Sequence, residues 1–93
     1  MIVGVMAWEL VLAGCQSLKD KRRIVKSLKD RLHQRFHVSA AEVDYQDTWQ
    51  RAALAVSVVS TDRRHAEEVL TSCDRLVQSE PLAQVTRSEA TYH

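Results

Sequence analysis

The 93-residue chain contains few glycine, proline, cysteine and aromatic residues: 2 Gly, 1 Pro, 2 Cys, 2 Trp, 2 Tyr and 1 Phe. So few Gly and Pro residues are not typical of a flexible linker or a low-complexity segment. We therefore predict one globular domain over residues 1–93. The sequence also lacks the glycine-rich loops that cradle phosphate groups in nucleotide-binding proteins.

The cysteines and the amino-terminal segment indicate which cofactors the chain can hold and in which cellular compartment it is expected. Cys15 and Cys73 form no C-x-x-C pair, which excludes a four-cysteine iron-sulfur cluster within one chain. The apolar run from Met1 to Trp8 stops at Glu9, follows no basic segment and is too short to span a bilayer. We therefore expect a cytoplasmic protein with reduced thiols and no cofactor.

The histidine and acidic side chains that could bind a metal or catalyse a reaction are better explained by structural roles. His33 and His37 are four residues apart, but His37 follows the expected helix end, so no metal site is predicted. Glu42 and Asp44 should share one face of a strand, where outward acids protect a sheet edge from aggregation. No catalytic residue is assigned, because no nucleophile motif is present.

The alternation of hydrophobic periods predicts six elements in the order β-α-β-β-α-β. A serine cap at Ser17 begins the first helix, and Thr61 or Asp62 caps the second. The predicted ranges are strand 2–13, helix 18–36, strand 38–45, strand 49–60, a helix ending near residue 78, and strand 82–92. This is an α+β, ferredoxin-like βαββαβ pattern: a four-stranded antiparallel sheet with two helices on one face.

The other face of that sheet should be small and apolar. It would carry Val3, Val5, Ala7, Ala53, Ala55 and Val59. Because an apolar patch on a bare face tends to be covered by another chain, we predict that these residues form the interface of a homodimer or higher homo-oligomer.

The first helix is strongly basic in an otherwise near-neutral chain. Its segment from Lys19 to Arg35 holds eight of the thirteen Lys and Arg residues and only two acids, a local charge of +6 within a total of +1. This asymmetry favours an anionic partner such as structured RNA. The candidate phosphate-binding residues are Lys19, Arg22, Arg23, Lys26, Lys29 and Arg35. A solvated surface that only keeps the protein soluble is the alternative.

Two sequence blocks carry a family resemblance. SLKDKRRIVKSLKDRL (Ser17 to Leu32), followed by FHVSAAEVDYQDTWQRAAL (Phe36 to Leu54), resembles the YlxP-like family of bacterial proteins of unknown function. The resemblance implies a small ferredoxin-like protein without assigned catalytic residues. Genes of the family often lie among those for translation initiation and ribosome maturation, which hints at ribosomal RNA as a partner. His37 departs from the family, whose members tend to have Asn at that position.

Three functional hypotheses follow. The first is a non-catalytic RNA- or ribosome-associated accessory protein that docks its basic helix on phosphate. The second is an adaptor whose cations meet an acidic partner protein. The third is a small-ligand regulatory domain with a cleft between subunits. RNA readout by stacking on the sheet is disfavoured, because the central strands offer Ala and Val where such a platform needs aromatic residues.

Overall fold

A computed structural model describes all residues from Met1 to His93 and confirms the predicted element order. The strands are β1 (Ile2–Val11), β2 (Ser39–Asp44), β3 (Arg51–Ser60) and β4 (Gln84–Tyr92), and the helices are α1 (Leu18–Phe36) and α2 (Arg63–Gln78). The four strands form one antiparallel sheet in the order β2-β3-β1-β4, with both helices on one face. No helix is both long enough and apolar enough to cross a lipid bilayer.

The core lies between the helices and one face of the sheet. Trp8, Leu10, Leu54 and Val56 contribute from the two central strands, and the helices add their apolar stripes. The buried helical side chains of this core are Val25, Leu28, Leu32, Leu70, Cys73, Leu76 and Val77. The periodicities of 2 and 3.6 residues therefore predicted the layers correctly.

One polar contact and one glycine bring α2 close to β1. The indole of the buried Trp8 donates a hydrogen bond of 2.9 Å to Asp74 Oδ1. At Gly4, an added Cβ would lie 3.1 Å from Leu70 Cδ1 and 3.3 Å from Val58 Cγ1, closer than normal packing. Glycine at this position thus allows α2 to approach the sheet.

A bulge in β2 overturns the expectation that Glu42 and Asp44 share one face. Glu42 pairs with Leu54 of β3, but the register shifts and Asp44 then pairs with Ala53, the neighbouring residue. Leu54 and Ala53 are successive residues of β3, so they point to opposite faces of the sheet. Glu42 therefore lies on the helix side with Leu54, and Asp44 lies on the bare side with Ala53. Glu42 is therefore not an outward acid of the sheet edge.

Candidate nucleic-acid interface

Local sequence fixes both ends of α1. Ser17 Oγ accepts a hydrogen bond of 3.1 Å from the amide of Asp20, and the Asp20 carboxylate accepts one of 3.2 Å from the amide of Gln16. This is a capping box in which the short acid reaches the residue before the cap. The helix ends where His37 adopts a left-handed conformation (φ 55°) and its amide donates to the His33 carbonyl. His37 therefore lies beyond the helix, as predicted.

Lys21 points into the protein, unlike the other cations of α1. Its side chain is 1% exposed, its Nζ lies 2.8 Å from Glu42 Oε2, and it donates a hydrogen bond to the Tyr45 carbonyl. The contact with Glu42 Oε2 is ionic, since that oxygen accepts no well-oriented hydrogen bond. Lys21 thus joins α1 to β2 and to the turn after it, and it is not available to an external anion.

Spacing was the signal that marked Lys21 as an inward residue. With Val25, Leu28 and Leu32 it follows the 4-3-4 spacing of one helical face, and all four are buried. The residue type hid this position, because a lysine adds to the charge of a basic helix without indicating which way its side chain points. Burial of the charge requires the carboxylate that Glu42 supplies from the next element.

Two further cations of α1 are neutralised within the chain. Lys26 Nζ lies 2.8 Å from Asp30 Oδ2 one turn later, and this hydrogen bond lowers the pKa of Asp30. Arg31 pairs with Glu80 and so joins α1 to the segment that follows α2. These pairs reduce the positive charge that α1 presents to a partner.

The remaining cations of α1 have no acidic partner within the chain. They are Lys19, Arg22, Arg23, Lys29 and Arg35. All are exposed except Lys29, which is half-buried. On α2, by contrast, Arg63 and Arg64 each face a glutamate four residues later. Of the arginines of α2 only Arg75 lacks an acidic partner, so the unpaired positive charge is concentrated on α1.

Helical geometry divides the predicted phosphate-binding residues into two sets. Lys19, Arg22, Lys26 and Lys29 are three or four residues apart and form one row along the outer side of α1. Arg23 lies beside that row. Arg35, six residues after Lys29, projects about 240° around the helix, and its guanidinium lies 5.8 Å from the centroid of the Phe36 ring. We call the row together with Arg23 the basic face.

The turn between β2 and β3 lies at the end of the molecule where α1 begins. Gln50 donates hydrogen bonds to the carbonyls of Ala13 and Cys15, in the loop that leads into α1. Tyr45 is in a left-handed conformation (φ 62°), and its hydroxyl donates a 2.9 Å hydrogen bond to Glu9, which raises the pKa of Tyr45. The Arg51 guanidinium covers the Tyr45 ring at 4.3 Å from the centroid.

The bare face of the sheet holds the six residues predicted for an oligomer interface. Val3 lies opposite Val59, and Ala7 lies opposite Ala55 across the β1–β3 pair. These positions have the parity opposite to the buried core residues Trp8 and Leu10. Helices cover only the core side, so the predicted set faces away from them.

The histidines and cysteines are dispersed. No group of three or more His, Cys, Asp or Glu side chains is arranged to hold a metal ion. His33 Nδ1 lies 3.1 Å from the Val38 carbonyl and takes part in the helix-to-strand connection. Cys15 and Cys73 are unpaired and buried, and burial raises the pKa of the Cys73 thiol to about 11. Such thiols are poor nucleophiles at neutral pH.

Comparison of the sequence with known families matches residues 3–90 to one described as Protein of unknown function (DUF503). The chain belongs to this family. The uncharacterized protein YlxP of Bacillus subtilis (strain 168) is 33% identical over 90 residues, covering 95% of this chain and 98% of its own length. The resemblance carried by the two sequence blocks is thereby confirmed.

Solved structures similar to this chain share its fold. A de novo designed protein with a ferredoxin fold has a TM-score of 0.56 at 14% identity, covering 100% of this chain and 85% of the design. An acylphosphatase from Bacillus subtilis has a TM-score of 0.52 at 16% identity, covering 100% of this chain and 86% of the enzyme. At these identities the similarity establishes the fold and carries no activity across.

Proposed function

We propose that this protein is a non-catalytic accessory protein that associates with RNA, ribosomal RNA in particular, by docking the basic face of α1 on phosphate groups. The observation that carries the proposal is the set of cations on this helix that no acid of the chain neutralises. Cations that lack internal partners are available to phosphates, and each phosphate contact releases condensed counterions from the RNA.

The shape of the basic face supports contact with several phosphates at once. Lys19 and Lys29 are ten residues apart, so the row extends about 15 Å along the helix axis. Arg22 lies within it and Arg23 beside it. A row of this length can follow a nucleic acid backbone, and such contacts position a protein without reading sequence.

At the amino-terminal end of α1, the structure favours binding of phosphate by side chains and not by the free backbone amides of the helix. Asp20 occupies the first turn and accepts from the Gln16 amide, so a carboxylate already lies at the positive end of the helix dipole. An incoming phosphate would be repelled there. The cations of the first turn oppose the helix dipole, a local cost that is offset if they bind an anion.

We further propose that a second copy of the chain covers the bare sheet face. Small and apolar residues occupy its centre, and charges of both signs, Arg87 and Glu89, lie in β4 beside it. In a twofold dimer the same patch meets itself, so a rim that carries both signs can be complementary to its own copy. This arrangement leaves the basic faces of both protomers exposed on the helix side.

Charge reversal with a matched control tests the RNA proposal. The variant Arg22→Glu with Lys29→Glu alters the basic face, whereas Arg64→Glu with Arg75→Glu makes the same net-charge change on the outer side of α2. Each variant, tagged, is sedimented with ribosomal subunits from lysate, with and without nuclease. We expect the wild type and the α2 variant to comigrate until nuclease is added, and the α1 variant to remain at the top of the gradient.

Two results would contradict the proposal. Comigration of the α1 variant at the level of the wild type would show that the basic face does not bind the RNA. A partner that stays attached after nuclease treatment would instead favour an acidic protein as the anion.

A further inference from the structure

We infer that Trp49 is a stacking site for an unpaired nucleotide of the bound RNA, next to the basic face. The inference rests on the proposed function and names the class of RNA more closely. It predicts a bulge, a loop or a single-stranded end beside a phosphate-binding segment, as opposed to continuous duplex.

The two tryptophans of the chain have opposite environments. Trp8 is 1% exposed and its indole is hydrogen bonded to Asp74. Trp49 is 49% exposed, its indole N–H has no hydrogen-bond partner in the chain, and it belongs to no part of the core. About half of the Trp49 side chain is therefore free of contacts within the chain and available to a ligand.

The position of Trp49 relative to α1 follows from the contacts of the turn. Lys21 binds the Tyr45 carbonyl at one end of the turn, and Gln50 binds the Cys15 carbonyl at the other. The amide of Leu12 also donates to the Gln50 carbonyl at 2.8 Å. These contacts hold the turn at the end of the molecule where α1 and its first cations, Lys19 and Arg22, begin.

The chemistry of the turn favours a base over a phosphate. Trp49 lines an open depression of about 360 Å³ with Asp47, Thr48 and Gln50. The Asp47 carboxylate repels phosphate, whereas the indole offers a flat surface on which any base can stack. Stacking of a base on an aromatic side chain is worth about 1–3 kcal/mol. The row of cations begins at the same end of the molecule as this exposed aromatic ring, and proteins hold unpaired nucleotides by combining such cations with an aromatic surface.

Two RNA probes of equal length test the inference: a continuous duplex, and the same duplex with a three-nucleotide bulge. Affinities of the wild type, Trp49→Ala and Trp49→Phe are measured by anisotropy. We expect Trp49→Ala to bind the bulged probe roughly 5- to 150-fold more weakly and the duplex unchanged. Trp49→Phe should retain most of the affinity, and its melting temperature, like that of Trp49→Ala, should match the wild type.

The fluorescence of Trp49 gives an independent readout. Because Trp8 is buried, quenching of the wild type by the bulged probe should come from Trp49 and should disappear in Trp49→Ala. If the wild type binds both probes but Trp49→Ala weakens neither, or weakens both equally, the inference is overturned while the proposed function stands. If the wild type binds neither probe, the proposed function fails with it.

Discussion

Replacement of Lys21 by methionine should lower the free energy of unfolding by about 2–4 kcal/mol. Removing one partner of a fully buried ion pair costs about 3–5 kcal/mol, because the other charge is left unpaired. Glu42 keeps 17% of its side chain exposed and can be partly rehydrated, which reduces the cost. The Tyr45 carbonyl also loses its donor, about 1 kcal/mol. Methionine preserves the packing of the aliphatic stem, so a cavity adds little.

Urea denaturation of three variants measures this effect and separates it from a general loss of charge. Lys26→Met is the matched control, because it removes the same charge from an exposed pair with Asp30 and should leave stability nearly unchanged. Lys21→Met combined with Glu42→Leu should recover much of the loss, since no charge is left buried. If Lys21→Met were as stable as Lys26→Met, Lys21 would be a solvated cation and the reasoning would be refuted.

Three shorter predictions follow from other buried groups and from the bare face. Because burial raises the pKa of Cys73 to about 11, an unfolded thiol ionises at lower pH than the folded one. The contribution of Cys73 to the free energy of unfolding should therefore be fully present below the pKa of the unfolded thiol and fall by roughly 2 kcal/mol as pH rises to about 11. Urea titrations of Cys73→Ala should show a free energy of unfolding that depends less on pH. Asp74→Ala should cost about 1–3 kcal/mol by thermal unfolding, since the Trp8 indole loses its acceptor, whereas Asp74→Asn should cost less. Ala55→Glu should give a monomer by light scattering where the wild type is a dimer, and a wild type that is monomeric at micromolar concentration would contradict the proposed sheet interface.

The fold was predictable from the sequence because its layers follow simple periods. Leu54 and Val56 alternate along β3, and Val25, Leu28 and Leu32 repeat along α1, so both buried faces could be located without the structure. The cap at Ser17 and the helix end at Phe36 were also correct, since capping depends on side chains within a few residues.

The details that were missed depend on contacts between distant parts of the chain. The extra residue in β2 that separates Glu42 from Asp44 is defined only by pairing with β3. The inward orientation of Lys21 depends on a carboxylate 21 residues later. β3 begins at Arg51 and not at Trp49, which leaves the indole in an exposed turn. No local pattern encodes such contacts, although the 4-3-4 spacing of Lys21 with the apolar stripe was a usable sign.

The central claim is that the basic face binds RNA through phosphate, and the salt dependence of binding tests it most directly. The affinity for ribosomal RNA is measured from about 50 to 200 mM salt for the wild type and for Arg22→Gln with Lys29→Gln. The four cations of the basic face without an acidic partner are Lys19, Arg22, Arg23 and Lys29. Four phosphate contacts predict that log affinity falls with log salt concentration with a slope of about −3 to −4, and loss of two contacts should make this slope shallower by roughly 1.5. Equal slopes for the two proteins, or binding of the wild type that does not respond to salt, would contradict the account.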